Sequence, residues 1–167
     1  MKLVAIFIAT MFVFCGCNKT DSSQLLLKSE IKAVTSHNTE SKVICESLKE
    51  SQLLFTGNDI AWFNPNSREI KFTNIQPGPF SIPMYAQIDM KIKDETLFTI
   101  VAHIINSVSR AYDDLVLFYD LETSKYYLYD NYPNYWSPES TQKNIEKRDS
   151  GWNKFLVQLK KEGRLKE

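Results

Sequence analysis

The stretch of sequence that predicts the most structure lies at the centre of the chain, where residues 87–105 read QIDMKIKDETLFTIVAHII. Apolar and polar side chains alternate along 87–93, and this period of two is typical of a strand with one buried face. Asp94-Glu95 then favours a turn, and 97–105 is a long run rich in β-forming residues. The stretch therefore predicts two neighbouring strands joined by a short turn.

A second pair of strands is predicted directly after a polar loop at 107–113. Residues 115–119 are a short apolar strand, 120–124 have the composition of a hairpin connection, and 125–130 form the return strand. Parallel neighbours need a crossover of a dozen or more residues, which these short polar connections do not provide. Together the four strands predict an antiparallel meander.

The C-terminal region has the pattern of a helix over residues 140–163. Its apolar side chains fall on one stripe at helical spacing, and Gly163 is a typical helix stop. The stripe consists of Ile145, Trp152, Phe155, Leu156 and Leu159. We therefore predict an α+β fold in which an antiparallel β-meander sheet packs against a C-terminal amphipathic helix.

Upstream of the meander, the sequence predicts less regular elements. Residues 43–55 are interpreted as a strand, Asn64-Pro65-Asn66-Ser67 is a strong turn signal, and 68–73 alternate as a half-buried strand. The stretch 17–41 is rich in Ser, Thr, Asn and Lys and is interpreted as a tether. Within this tether, the sequence is compatible both with a short helix that includes Ile31 and with disorder. The domains are thus a segment 1–16, the tether 17–41, and one globular domain, 42–167.

The first residues have the pattern of a bacterial export signal. Lys2 is the only charge before the apolar run 3–14, which is too short to span a bilayer. The run ends in Phe14-Cys15-Gly16-Cys17, which resembles the lipobox of type II signal peptides. The resemblance implies cleavage after residue 16 and a lipid on Cys17. Ordinary signal cleavage and an uncleaved anchor are the alternatives.

The signal ending, the tether and an aromatic-rich β domain together resemble the small lipoproteins of Bacteroidetes. That resemblance implies a cell-envelope location with an N-terminal lipid in a membrane, and it carries no active site over to this chain. Asn18 does not match the Asp that retains some lipoproteins in the inner membrane, so the outer membrane is favoured. Whether the domain faces the periplasm or the surface stays open.

The composition argues against nucleic acid as a partner. The chain has 20 basic and 20 acidic side chains, so it lacks the basic excess that binds phosphates. No catalytic, nucleotide, cofactor or metal motif is present in the sequence. His103 lies in an apolar run and is interpreted as a structural histidine. The acids of 113–130 are interpreted as turn residues rather than a cation site, and Cys45 as a small buried group.

The feature that suggests binding is a group of aromatic residues after the last predicted strand. Tyr132, Tyr135 and Trp136 lie among Pro and Asn residues in a predicted surface loop, where binding groups are common. At least one of the three is expected to be exposed. The leading hypothesis is a non-catalytic module for a protein or glycan partner. The alternative is an envelope hydrolase that uses carboxylates or His103.

Overall fold

The computed structural model describes residues 28–36, 51–73, 75, 82, 86–103 and 110–167. This part of the chain is mostly β, with eight strands and one C-terminal helix, α1 (Glu139–Lys161). The strands are β1 (Ile31–Thr35), β2 (Leu53–Thr56), β3 (Ile60–Phe63), β4 (Glu69–Phe72), β5 (Gln87–Ile92), β6 (Glu95–His103), β7 (Val116–Asp120) and β8 (Lys125–Tyr129). The predicted signal peptide, Cys17 and Cys45 lie outside the described residues.

All eight strands belong to one mixed sheet, in the order β2-β1-β5-β6-β7-β8-β4-β3. The four strands of the predicted meander are successive neighbours in this order, and the β5–β6 and β7–β8 pairs are antiparallel. β6 and β7 run parallel, however, with His103 beside Phe118. The prediction of a purely antiparallel meander is therefore wrong, although the helix does pack on the sheet.

The parallel pair has a simple explanation in the length of its connection. The predicted loop at 107–113 is too short for a parallel crossover, but β6 ends at His103 and β7 begins only at Val116. The intervening residues 104–115 number about a dozen, the length that a parallel crossover requires. The prediction underestimated the length of this connection, and residues 104–109 within it lie outside the described residues.

The two ends of the sheet are joined by a single 3-10 turn. β2 is the last strand on one side and β3 the last on the other, and only Gly57–Asp59 separates them along the chain. The Asp59 carboxylate fixes this turn by accepting hydrogen bonds from the Thr56 backbone N–H at 2.8 Å and the Thr56 hydroxyl at 2.9 Å. The rings of Phe55 and Phe72 meet across the gap, 5.0 Å apart. The sheet is therefore nearly barrel-shaped.

The first strand corrects the predicted start of the domain. Ile31–Thr35 is a strand between β2 and β5, not a tether or a short helix, and its Ile31 and Ala33 are buried in the core. The folded part therefore begins before Lys42. The sequence suggested a helix because Ile31 and Val34 are three residues apart, which suits a helical period. The buried side chains instead follow the strand period of two, at Ile31, Ala33 and Thr35.

The C-terminal helix closes onto the sheet through its aromatic stripe, as predicted. Phe155 is fully buried, and its ring lies 6.1 Å from the ring of Phe63 and 5.5 Å from that of Phe98. A side-chain carbon at Gly151 would collide with the carbonyl oxygen of Leu97, so this glycine allows the helix to lie close to β6. Sheet and helix consequently share one core.

The last residues of the chain return to the sheet. Gly163 has a φ of 69°, the left-handed conformation that ends many helices. Leu165 then forms a bridge with Phe63 on the outer side of β3, through hydrogen bonds of 2.9 and 2.8 Å. Near the start of the described chain, the Ser29 hydroxyl donates to the Glu162 carboxylate at 2.8 Å. Both ends of the folded part therefore meet at the C-terminus of α1.

Candidate functional site

The aromatic residues of β8 divide between the two faces of the sheet, as strand geometry requires. Tyr126 and Leu128 are buried in the core. Tyr127 and Tyr129 are half-buried on the outer face, where their rings are nearly parallel and 5.2 Å apart. The chain then leaves the sheet at Asp130 and does not enter α1 until Glu139.

Tyr132 lies at the base of this loop, and its side chain is buried. Its side chain is only 7% exposed, and its ring lies 4.2 Å from that of His103 and 5.2 Å from that of Phe118. Its backbone N–H and C=O exchange hydrogen bonds of 2.9 and 2.8 Å with Tyr112. The ring of Tyr132, which was predicted to contribute to a binding surface, is therefore buried and is not exposed to a ligand in this structure.

Tyr135 and Trp136 are the exposed rings of the loop, with 81% and 41% of their surface in solvent. The turn that carries them is held by two hydrogen bonds. The Trp136 backbone N–H donates to the Pro133 carbonyl at 2.9 Å, and the buried Asn131 amide donates to the Trp136 carbonyl. The expectation that at least one aromatic residue of the loop stands in water is confirmed for these two.

His103 has no access to solvent. It ends β6, is fully buried, and is packed among the rings of Tyr112, Phe118 and Tyr132 at 4.2 to 6.2 Å. A general base must come within hydrogen-bond distance of the proton that it removes. In this position the imidazole serves the packing of the outer aromatic cluster, which agrees with its interpretation as a structural histidine.

The acidic residues of 113–130 are distributed between a turn and an ion-pair network. Asp120 closes the β7–β8 turn, since its carboxylate accepts from the Glu122 N–H at 3.0 Å and the Thr123 hydroxyl at 2.7 Å. Asp114 and Asp130 instead bind an arginine of α1. Among the described residues, no group of three or more His, Cys, Asp and Glu side chains is arranged to hold a metal ion.

The ion-pair network joins the helix to the sheet and was not predicted from the sequence. Arg148 donates to Asp114 and to Asp130 at 2.5 Å each, and Arg68 binds the second oxygen of Asp130. The guanidinium of Arg68 also lies 4.8 Å from the ring centre of Trp152. Arg68, Asp130, Arg148 and Trp152 line a small recess of about 60 Å³. Asp130 pairs with both of the arginines that line it.

Burial dominates the electrostatics of the two arginines. It lowers the pKa of Arg68 to about 10, with a further contribution from the neighbouring charge of Arg148. Burial also lowers the pKa of Arg148, while the Asp114 carboxylate opposes that shift. Burial also raises the pKa of the Tyr129 and Tyr132 hydroxyls, because it disfavours the charged phenolate. Neighbouring tyrosines raise these pKa values further.

A second recess of about 280 Å³ opens on the outer face of the sheet. It lies between the β5–β6 pair and the segment that leads into β7. Its lining residues are Gln87, Thr99, Val101, Tyr112, Asp113, Asp114 and Leu115. The parallel β6–β7 pair creates this recess, because it brings 112–115 beside Val101, and the backbone of Leu115 accepts from the Val101 N–H at 3.0 Å.

Comparison with known proteins provides no precedent for this arrangement. No family model, curated protein or solved structure matches the chain. Within the described residues, no helix is both long and apolar enough to cross a membrane. The interpretation of the site therefore rests on its own geometry.

Proposed function

We propose that this protein is a cell-envelope lipoprotein whose folded domain is a non-catalytic binding module for a protein or glycan partner. The observation that carries the proposal is the display of Tyr135 and Trp136 in solvent on a loop whose base is fixed by Tyr132 and Asn131. Large aromatic residues that stand in water present apolar area that a partner can cover. The outer membrane is the location favoured by the N-terminal sequence.

The fixed base of the loop makes its aromatic residues suitable for binding. Ordering a flexible loop on binding costs free energy, at roughly 0.5–1.5 kcal/mol for each immobilised side chain. Here the turn 133–136 already has its internal hydrogen bond, and the Tyr132 ring is packed before any partner arrives. Less of the contact energy is therefore spent on ordering the loop.

The alternative, an envelope hydrolase, finds less support. A catalytic centre combines a concave pocket with an accessible nucleophile or base. His103 is buried among aromatic rings, and Asp114 and Asp130 are paired with Arg148. The larger recess does contain the Asp113 carboxylate, but its described lining residues include no histidine and no second unpaired acid. A binding module explains the same residues without requiring a reaction.

The proposal predicts that Tyr135→Ala combined with Trp136→Ala abolishes capture of an envelope partner. Two exposed aromatic contacts contribute about 2 kcal/mol or more each when they are hot spots, so their joint loss should weaken binding by more than a hundredfold. The measurement is a pull-down from envelope extracts, paired with binding to a glycan array. Tyr132 is left intact because its removal would unfold the base of the loop.

The matched control for this experiment is Leu121→Ala. Leu121 is also an exposed apolar residue, but it lies in the turn at the opposite end of the β7–β8 hairpin. The Leu121→Ala variant should bind the partner and melt as the wild type does. Undiminished capture by the double variant, with its melting temperature near that of the wild type, would contradict the proposed role of the loop.

The proposed lipid anchor predicts that Cys17→Ala releases the protein from the membrane fraction. The thiol of Cys17 is the proposed site of acylation, so the variant should also lose metabolic labelling by a fatty-acid analogue. Cys15→Ala is the control, since Cys15 belongs to the segment that is proposed to be cleaved, and it should keep the label. Equal labelling of the Cys17→Ala variant and the wild type would exclude this anchor.

A further inference from the structure

The larger recess and the exposed aromatic loop are connected through the bridge between Tyr112 and Tyr132. Tyr112 lines the recess, and its backbone is bridged to Tyr132 at the base of the loop. Trp136 follows Tyr132 by four residues, so the two Cα atoms are separated by at most about 14 Å. A ligand that extends over a few rigid units can therefore reach the recess and the exposed rings together.

The lining of the recess combines polar groups with a small apolar floor. Gln87 and Thr99 present an amide and a hydroxyl from the outer faces of β5 and β6, and Asp113 adds a carboxylate from the facing segment. The Thr99 hydroxyl donates to Asp89 at 2.7 Å, which orients its oxygen and leaves its lone pairs for a ligand. Val101 supplies apolar surface between them.

We propose that this surface binds an uncharged oligosaccharide, with one sugar in the recess and a neighbouring sugar against Tyr135 or Trp136. A sugar ring has apolar C–H faces that cover aromatic rings and a rim of hydroxyls that donate and accept hydrogen bonds. Amide, hydroxyl and carboxylate groups around a small apolar floor match that rim. This inference rests on the proposed function, because it uses the same loop and specifies the partner as a glycan.

A peptide fits the recess less well because the described strands beneath it already have neighbours in the sheet. Extended peptides commonly bind by adding a strand, which requires unpaired backbone groups. β5 is paired with β1 and β6, and β6 is paired with β5 and β7. The recess therefore lies over two strands that are internal to the sheet.

The charge of the recess argues against an anionic sugar. Asp113 and Asp114 both line it, and its described lining residues include no Lys or Arg. Arg148, which binds Asp114, is also paired with Asp130. A sulfate or carboxylate on the ligand would lose its water without gaining a cation, which is costly. A neutral ring encounters no such penalty.

The test uses the purified full chain on an array of defined neutral and anionic oligosaccharides. The affinity for the strongest neutral oligosaccharide is then measured by calorimetry. Gln87→Leu keeps most of the side-chain volume and removes the amide, so it should weaken binding about fivefold, the equivalent of one hydrogen bond. Gln142→Leu, on the exposed face of α1, is the matched control and should bind as the wild type does.

Asp113→Asn provides a second variant in case Gln87→Leu fails to fold, and it should also weaken binding severalfold. Binding of neutral oligosaccharides that falls with a recess variant and with the loop double variant supports the inference. No bound sugar, binding of anionic sugars only, or affinities unchanged by both recess variants would overturn it. Loop-dependent capture of a protein with an empty array would overturn the glycan assignment and leave the proposed function standing.

Discussion

Phe155→Ala is expected to destabilise the protein by about 3–5 kcal/mol, the range for emptying a large buried aromatic site. Phe155 is fully buried between α1 and the sheet, against the rings of Phe63 and Phe98. These rings belong to strands that do not pair with each other, so the cavity would lie where helix and sheet meet. Chemical denaturation of the purified variant measures the loss.

Val157→Ala is the control on the same helix. Val157 is an exposed side chain two residues away, and removing its methyl groups should change the free energy of unfolding by less than about 0.5 kcal/mol. Trp152→Ala should cost less than Phe155→Ala because Trp152 is only half-buried. If Phe155→Ala is as stable as Val157→Ala, the helix does not share a core with the sheet.

The second large effect is expected for Arg148→Met, at about 2–3 kcal/mol of lost stability. Removing one member of a fully buried ion pair costs about 3–5 kcal/mol, because its partner keeps a desolvated charge. The side chain of Arg148 is 7% exposed, but Asp114 and Asp130 remain partly in water, which reduces the penalty. Asp130 also keeps Arg68 as a partner. The free energy of unfolding at neutral pH is the relevant measurement.

Lys154→Met distinguishes the buried network from an ordinary ion pair. Lys154 also links α1 to the sheet, through Glu95 at 2.5 Å, but both side chains of this pair are largely in solvent. Such pairs contribute about 0–1 kcal/mol. Equal losses from the Lys154 and Arg148 variants would show that burial of the network adds nothing to stability.

The local elements of the fold were predictable because their signals lie in short stretches of sequence. The alternation along Gln87–Ile92 and Lys125–Tyr129, the turn at Asn64-Pro65-Asn66-Ser67 and the aromatic stripe of α1 all appear as predicted. The Asn64 side chain accepts the Asn66 N–H at 2.9 Å, which is the turn chemistry expected of Asn. Each of these signals depends on neighbours within a few residues.

The elements that the sequence did not reveal depend on contacts between distant residues. β1 was missed because a five-residue strand with an exposed Lys32 resembles a polar segment until its partners are known. The parallel β6–β7 pair depends on the length of a connection rather than on a composition. The recess beside Gln87 exists only because of that pairing, so no pattern of lining residues could have predicted it.

The candidate binding loop was likewise predictable only where its features depend on nearby residues. Exposure of Tyr135 and Trp136 followed from the Pro and Asn residues that end the strand. Burial of Tyr132 did not, because it depends on His103 and Phe118 in two other strands. The ion-pair network around Arg148 could not be predicted either, because the two aspartates that bind Arg148 lie 34 and 18 residues away in the sequence.

The meeting of both chain ends beside α1 has a consequence for the order of folding. The hydrogen bond from Ser29 to Glu162 joins residues 133 positions apart, and the bridge to Phe63 requires Leu165. These contacts cannot form until almost the whole chain is available, and bringing such distant segments together has a large loop-closure entropy. The edge of β3 at Phe63 therefore has no partner until the last residues of the chain are available. A chain that passes through a narrow channel from its N-terminus could complete this edge of the sheet only after its final segment arrives.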